Sequence, residues 1–227
     1  MKDLNSTIVI FAAHPDDDIL GCGGTIAKLT QQDSKVHVVF LADGESSRDG
    51  SVDIHNLILQ RKKNAKKALK ILGCDSIEFL DFPDNRLDSL ELLDLVKTVE
   101  NIVDVHKPDI IFTHYANDLN IDHQITHNAV VTACRPQPEY CVKELLFFEV
   151  PSSTEWNVSK AFMPNYFVDI SSTLSLKIKA LNAYKNEMKS FPHPRSIKAV
   201  ESLAFYRGAS CGCNAAESFI IGRKIKK

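Results

Sequence analysis

Apolar positions along this chain fall into two alternating rhythms. Short runs rich in β-branched and aromatic residues occur at 6–13, 35–42, 77–82, 109–114 and 145–150, and they predict strands. Between them, at 21–31, 54–72, 87–106 and 124–134, apolar residues recur three and four positions apart, which predicts helices. The remainder predicts a strand at 166–170, a long helix at 172–188, a second helix at 196–206 and a last strand at 217–223. Alternation of this kind predicts one α/β domain over 1–227. It would be Rossmann-like and doubly wound, with a mainly parallel sheet, helices on both faces and a C-terminal helical and strand extension. In the 3-2-1-4-5 strand order of that class the first and fourth strands are neighbours, and ligands bind beyond their carboxyl ends. Residues just after Ala13 and just after His114 are therefore expected to converge, although about a hundred positions separate them.

Composition narrows the function classes. With 27 basic and 29 acidic side chains and a formal net charge of −2, the chain lacks the electropositive footprint of a nucleic-acid binder. The apolar run at 8–13 is too short to span a bilayer and has no signal-cleavage pattern near it, so no transmembrane segment and a cytoplasmic location are expected. None of the six cysteines forms a Cys-x-x-Cys pair. Cys211 and Cys213 are the only close pair, and a single intervening residue makes a disulfide strained, so plain reduced thiols are the expectation.

Polar clusters follow the first and fourth strands: His14-Pro15-Asp16-Asp17-Asp18 and Asn117-Asp118-Leu119-Asn120-Ile121-Asp122-His123. His14 and Asp17, at i and i+3 in a tight turn, can face one point, and His123 can complete a set of two nitrogens and one carboxylate. Three protein ligands and an open fourth position form the arrangement of a catalytic zinc. Asp16, between two of the ligands, is placed to take a proton as general base. Each piece has a plainer reading: the aspartates can cap a helix N-terminus, and Asp122-His123 can be an ordinary loop pair. The combination favours the metal, because consecutive carboxylates repel one another unless a cation or strong donors offset them.

These residues, with Gly21-Cys22-Gly23-Gly24-Thr25 and Asp43-Gly44-Glu45, resemble the LmbE-like family of zinc N-deacetylases, the PIG-L type. Members act on N-acetylglucosamine units in inositol-lipid anchors, thiol precursors, chitobiose and glycopeptide antibiotics. The resemblance implies that His14, Asp17 and His123 bind zinc, that Asp16 is the base, and that trimers or hexamers form. It implies a cytosolic sugar or glycoconjugate precursor as substrate. Two departures stand out. Asp18 replaces the usual Glu, and a supporting hydrogen bond is expected to survive the shorter side chain. Asn120 stands where many members have a histidine positioned by the following aspartate, here Asp122; that leaves Asn120 as a hydrogen-bond donor at most and makes His193 the candidate acid.

Further candidates carry weaker signals. Arg61, Glu45 and Arg48 are possible substrate contacts, with a solvated helix charge as the plain alternative for Arg61. His127 lies i+4 from His123 but lacks the neighbouring Glu of a His-Glu-x-x-His motif, so it reads as a helix residue. Gly21-x-Gly23-Gly24 lies too far beyond the strand for a dinucleotide fingerprint and reads as helix packing. The expected activity is zinc-dependent hydrolysis of an N-acetyl group on an amino sugar. A zinc amidohydrolase acting on a non-sugar acylamine and a non-catalytic nucleotide- or sugar-binding module remain as alternatives.

Overall fold

The computed structural model describes residues 5–47 and 53–226. Its core is the expected parallel sheet: β1 (Thr7–Ala12), β2 (Lys35–Ala42), β3 (Ser76–Phe82), β4 (Ile110–His114) and β5 (Glu144–Phe148) lie in the order β3-β2-β1-β4-β5. Two further strands, β6 (Tyr166–Asp169) and β7 (Ala216–Lys224), extend it; β7 runs antiparallel to β5, and β6 antiparallel to β7.

Residue alternation on β1 splits the interior into two cores. Ile8, Ile10 and Ala12 pack with α1 (Asp17–Thr30), α2 (Ile54–Leu72), α5 (Leu174–Leu181) and α6 (Ile197–Cys211). Val9 and Phe11 point the other way, to α3 (Leu92–His106) and α4 (Ile121–Ala133). Helices thus cover both faces, which is why the central strands read as nearly continuous apolar runs.

Two predicted helices are shorter than their apolar spacing indicated. The 87–106 segment divides into a single 3₁₀ turn, Leu87–Ser89, and α3, because the extended backbone of Leu90 interrupts the helical run. The 172–188 segment is helical only to Leu181 and then tightens into a 3₁₀ turn, with the Asn182 side chain donating to the Ile178 carbonyl.

Helix α1 is kinked at Cys22, whose φ of −144° breaks the helical run. The backbone groups freed there find charged partners. Glu217 on β7 accepts from the Gly24 and Thr25 N–H groups at 2.9 and 2.6 Å, and Lys177 donates to the Leu20 carbonyl at 2.8 Å and to Glu217 at 2.6 Å. The glycines around the kink serve packing: a methyl at Gly21 would lie 2.4 Å from the Phe148 ring, and one at Gly24 2.7 Å from Ile170.

Candidate metal centre

The turn between β1 and α1 and the loop between β4 and α4 meet beyond the carboxyl ends of the two central strands. His14 Nδ1, Asp17 Oδ2 and His123 Nε2 form a triangle with edges of 3.1 Å, 3.1 Å and 3.3 Å. All three side chains are buried. Zinc bonds of about 2.0–2.2 Å in tetrahedral geometry place ligand atoms roughly 3.3–3.5 Å apart, so the donor set fits such an ion with a small expansion. Asp17 Oδ1 is also buried and has no hydrogen-bond partner among the described residues.

Behind each imidazole stands a carboxylate. His14 presents Nε2 to Asp84 Oδ1 and Asp122 Oδ2, both at 3.1 Å, which leaves Nδ1 for the triangle. Asp122 is held in turn by the N–H groups of Asn85 (2.7 Å) and Leu87 (3.0 Å). Asp122 therefore orients His14, and no histidine at position 120 is needed for it to have a partner. His123 Nδ1 faces Asp118 Oδ1 at 3.1 Å, and Asp118 accepts from the Ser153 and Thr154 hydroxyls and from the Asn120 N–H. Carboxylate-backed histidines of this kind have a fixed ring orientation and raised basicity.

Charge and burial oppose each other throughout the centre. Burial works against an imidazolium, yet Asp122, Asp17 and Asp84 raise His14 well above the usual range, and Asp17 and Asp118 lift His123 to about 9. Burial would raise the carboxylates; instead His123 and His14 hold Asp17 well below its ordinary value, and hydrogen bonds bring Asp84 and Asp118 down to about 2. His114 goes the other way. Buried and stacked on His123 at 3.9 Å, it is kept neutral by burial and by its cationic neighbour, and its Nε2 accepts from the Ala13 N–H at 2.8 Å.

Asp16, between His14 and Asp17 in the chain, has a φ of 133°, a backbone conformation unfavourable for any residue with a side chain. Its carboxylate is clamped on both sides, Oδ1 by Arg61 at 3.3 Å and Oδ2 by Arg195 at 3.1 Å. Burial raises its pKa, with the two guanidiniums pulling against the rise. Arg61 is buried, which corrects the solvated-charge reading. It donates to the Pro15 carbonyl at 2.8 Å and pairs with Glu45 (3.2 Å) and Glu187 (2.7 Å), which hold the guanidinium beside Asp16. Arg48 lies outside the described residues.

Other expectations resolve as follows. Asn120 caps α4, accepting from the N–H of Asp122 at 2.8 Å and of His123 at 3.4 Å, and its amide donates to Asn85 at 3.0 Å. His193 lies in the loop before α6, where its Nδ1 accepts from the Arg195 N–H at 3.0 Å and its ring meets Trp156 edge-on. Among the described residues no hydrogen bond or ion pair joins it to the triangle. His127 is turned to the His114 carbonyl at 2.9 Å, away from the ligand set. Among the described residues neither Asp18 oxygen has a well-formed hydrogen-bond partner, unlike the supporting bond expected of it, and burial with repulsion from Asp16 raises it well above the carboxylate range.

Asp84, Asp118 and Arg195 were not expected from the sequence. The first two sit where the strand-end rule points, Asp84 just beyond β3 and Asp118 within the loop after β4. Arg195 had no such signal, since it reaches Asp16 across 179 positions.

The chain is similar to known deacetylases. Residues 9–134, more than half of the chain, match the PIG-L family, described as GlcNAc-PI de-N-acetylase. YaiS, an uncharacterised deacetylase of Escherichia coli K12, is 32% identical over 185 residues, 79% of this chain and 90% of its own. The diacetylchitobiose deacetylase of Thermococcus kodakarensis is 27% identical over 217 residues, 92% of this chain and 80% of its own. The structure of N,N'-diacetylchitobiose deacetylase from Pyrococcus horikoshii, complexed with its inhibitor MPG, shares the fold, with a TM-score of 0.78 at 23% identity over 95% of this chain and 83% of that one. On these matches the chain belongs to the PIG-L family of N-deacetylases.

Proposed function

We propose that this N-deacetylase hydrolyses the acetamido group of an N-acetylated amino sugar or its conjugate, with zinc held by His14, Asp17 and His123. The observation that carries the reading is the buried triangle of donor atoms with Asp16 beside it. Family membership sets aside the non-catalytic binding module. The diacetylchitobiose deacetylase among the relatives supports an amino sugar over a non-sugar acylamine.

A zinc ion, when bound, supplies a Lewis acid that polarises the acetamide carbonyl and acidifies water. The protein supplies the rest. Asp16 takes the proton of the attacking water, and its clamp by Arg61 and Arg195 holds the carboxylate in one orientation while attack proceeds. The Asn120 amide has one hydrogen on Asn85 and a second for the oxyanion. Asp16 can then return the proton it took to the departing amine; His193 is a poorer donor, because its Nδ1 accepts from the Arg195 N–H. Acetate and a free amine leave.

The test is acetate release from N-acetylglucosamine, N,N'-diacetylchitobiose and non-sugar N-acetylamines, run with metal analysis of protein purified without chelator. A stoichiometric divalent ion that disappears in His14→Ala, together with turnover of a sugar, is the expected result. Turnover of the non-sugar amides alone would reject the sugar assignment, and full activity in chelator-stripped protein would reject the metal.

A further inference from the structure

The Cys211-Gly212-Cys213 turn takes no part in the chemistry above, yet its geometry is specific. Cys211 ends α6, Gly212 follows with a left-handed φ of 81°, and the two sulfurs lie 3.3 Å apart. The turn is locked in place. The Cys213 N–H bonds to the Gly208 carbonyl at 3.0 Å, and a methyl on Gly208 would fall 2.6 Å from the Cys213 carbonyl and 2.8 Å from Ala215. Closing a disulfide of about 2.05 Å therefore asks for roughly 1.3 Å of sulfur movement and no search by the backbone. Cys211 is exposed and Cys213 half-buried. The other thiols differ: Cys22 and Cys134 are buried, and burial raises Cys22 well above the thiol range and Cys134 to about 12.

We propose that Cys211 and Cys213 form a reversible dithiol–disulfide couple, a modification site at the C-terminal end of α6 that is oxidised by low-molecular-weight disulfides. The Cys211 thiolate attacks one sulfur of the oxidant, whose S–S bond breaks and releases one thiolate. The Cys213 thiolate then attacks Cys211 Sγ and displaces the second. Two protein thiols lose two electrons and two protons, and the oxidant becomes two thiols. Partial burial and the adjacent Cys211 sulfur push Cys213 up to about 11, so its thiolate, and with it ring closure, gains with rising pH. Bridging across a single residue strains the bond and places the couple among labile disulfides, reversed by excess thiol. The centre stays separate, because the 15 residues of α6 span about 22 Å between this turn and the loop bearing Arg195.

Tryptic peptide 208–223 contains both cysteines and no other, which makes the couple readable by mass. Folded protein is treated with oxidised glutathione, alkylated and digested. Wild type is expected to yield this peptide two hydrogens lighter and resistant to alkylation, with full recovery after dithiothreitol. Cys213→Ser is expected to stop at the mixed disulfide and keep one glutathione on Cys211. If the wild-type peptide carries glutathione as fully as Cys213→Ser, or is fully alkylated after the oxidant, the couple does not exist.

Discussion

Two buried ionic clusters grip helix α1, one at its first turn and one at its kink, and they follow opposite rules. At the kink one ammonium meets one carboxylate, and both are also bonded to backbone groups that the kink has freed. At the first turn Asp17, Asp84, Asp118 and Asp122 surround His14 and His123, while Asp17 Oδ1 has no hydrogen bond among the described residues. Balanced charge with complete hydrogen bonding holds a backbone irregularity. An acidic excess around paired imidazoles is instead suited to a cation.

The sharpest break between the two comes from removing a ligand. His123→Ala should lose the metal and lower acetate release by about 10³-fold or more, since a Lewis acid contributes several kcal/mol to such a reaction; metal content and turnover measured on one preparation check it. Glu217→Ala should do the reverse. It strands the buried Lys177 ammonium and should cost about 3–5 kcal/mol in urea unfolding, with metal stoichiometry unchanged. If Glu217→Ala instead strips the metal at full stability, the two clusters are not distinct in kind.

A smaller effect sharpens the role of the carboxylates behind the ligands. Asp118→Asn should keep the fold and weaken metal affinity by about 10–100-fold, read by chelator competition. The smallest effect concerns pH in the metal-free protein. His123 is raised to about 9, so its ion pairs stabilise that form fully below its unfolded value of about 6.5 and cease to do so as pH climbs through 9. Metal needs the neutral ring. Affinity should therefore rise over the same interval, with protons released on binding, which calorimetry in buffers of different ionisation enthalpy measures.

The fold was legible because its signals are local. Apolar runs placed all seven strands, and the switch-point rule brought residues after Ala13 and His114 together before any coordinate was known. Helix ends were less legible, since the apolar spacing of 87–106 runs on through Leu90, whose extended backbone separates the 3₁₀ turn from α3. In the site, the sequence singled out the residues that form the triangle, with Asp16 and Asp122, but not Asp84, Asp118 or Arg195 around them. Asp84 and Asp118 were within reach of the strand-end rule, whereas the guanidinium of Arg195 meets Asp16 only through the packing of α6, which no spacing encodes. The burial of Arg61 was not legible, because a lone arginine in a lysine-rich helix has the same pattern whether it faces water or a carboxylate.

The kink in α1 also orders events in time. Its freed N–H groups are satisfied by Glu217 on β7, about two hundred residues later in the chain, so in synthesis they wait for β7 to follow. A nascent chain can thus gather His14, Asp17 and His123 first, but its first helix takes its finished shape only once β7 has been made.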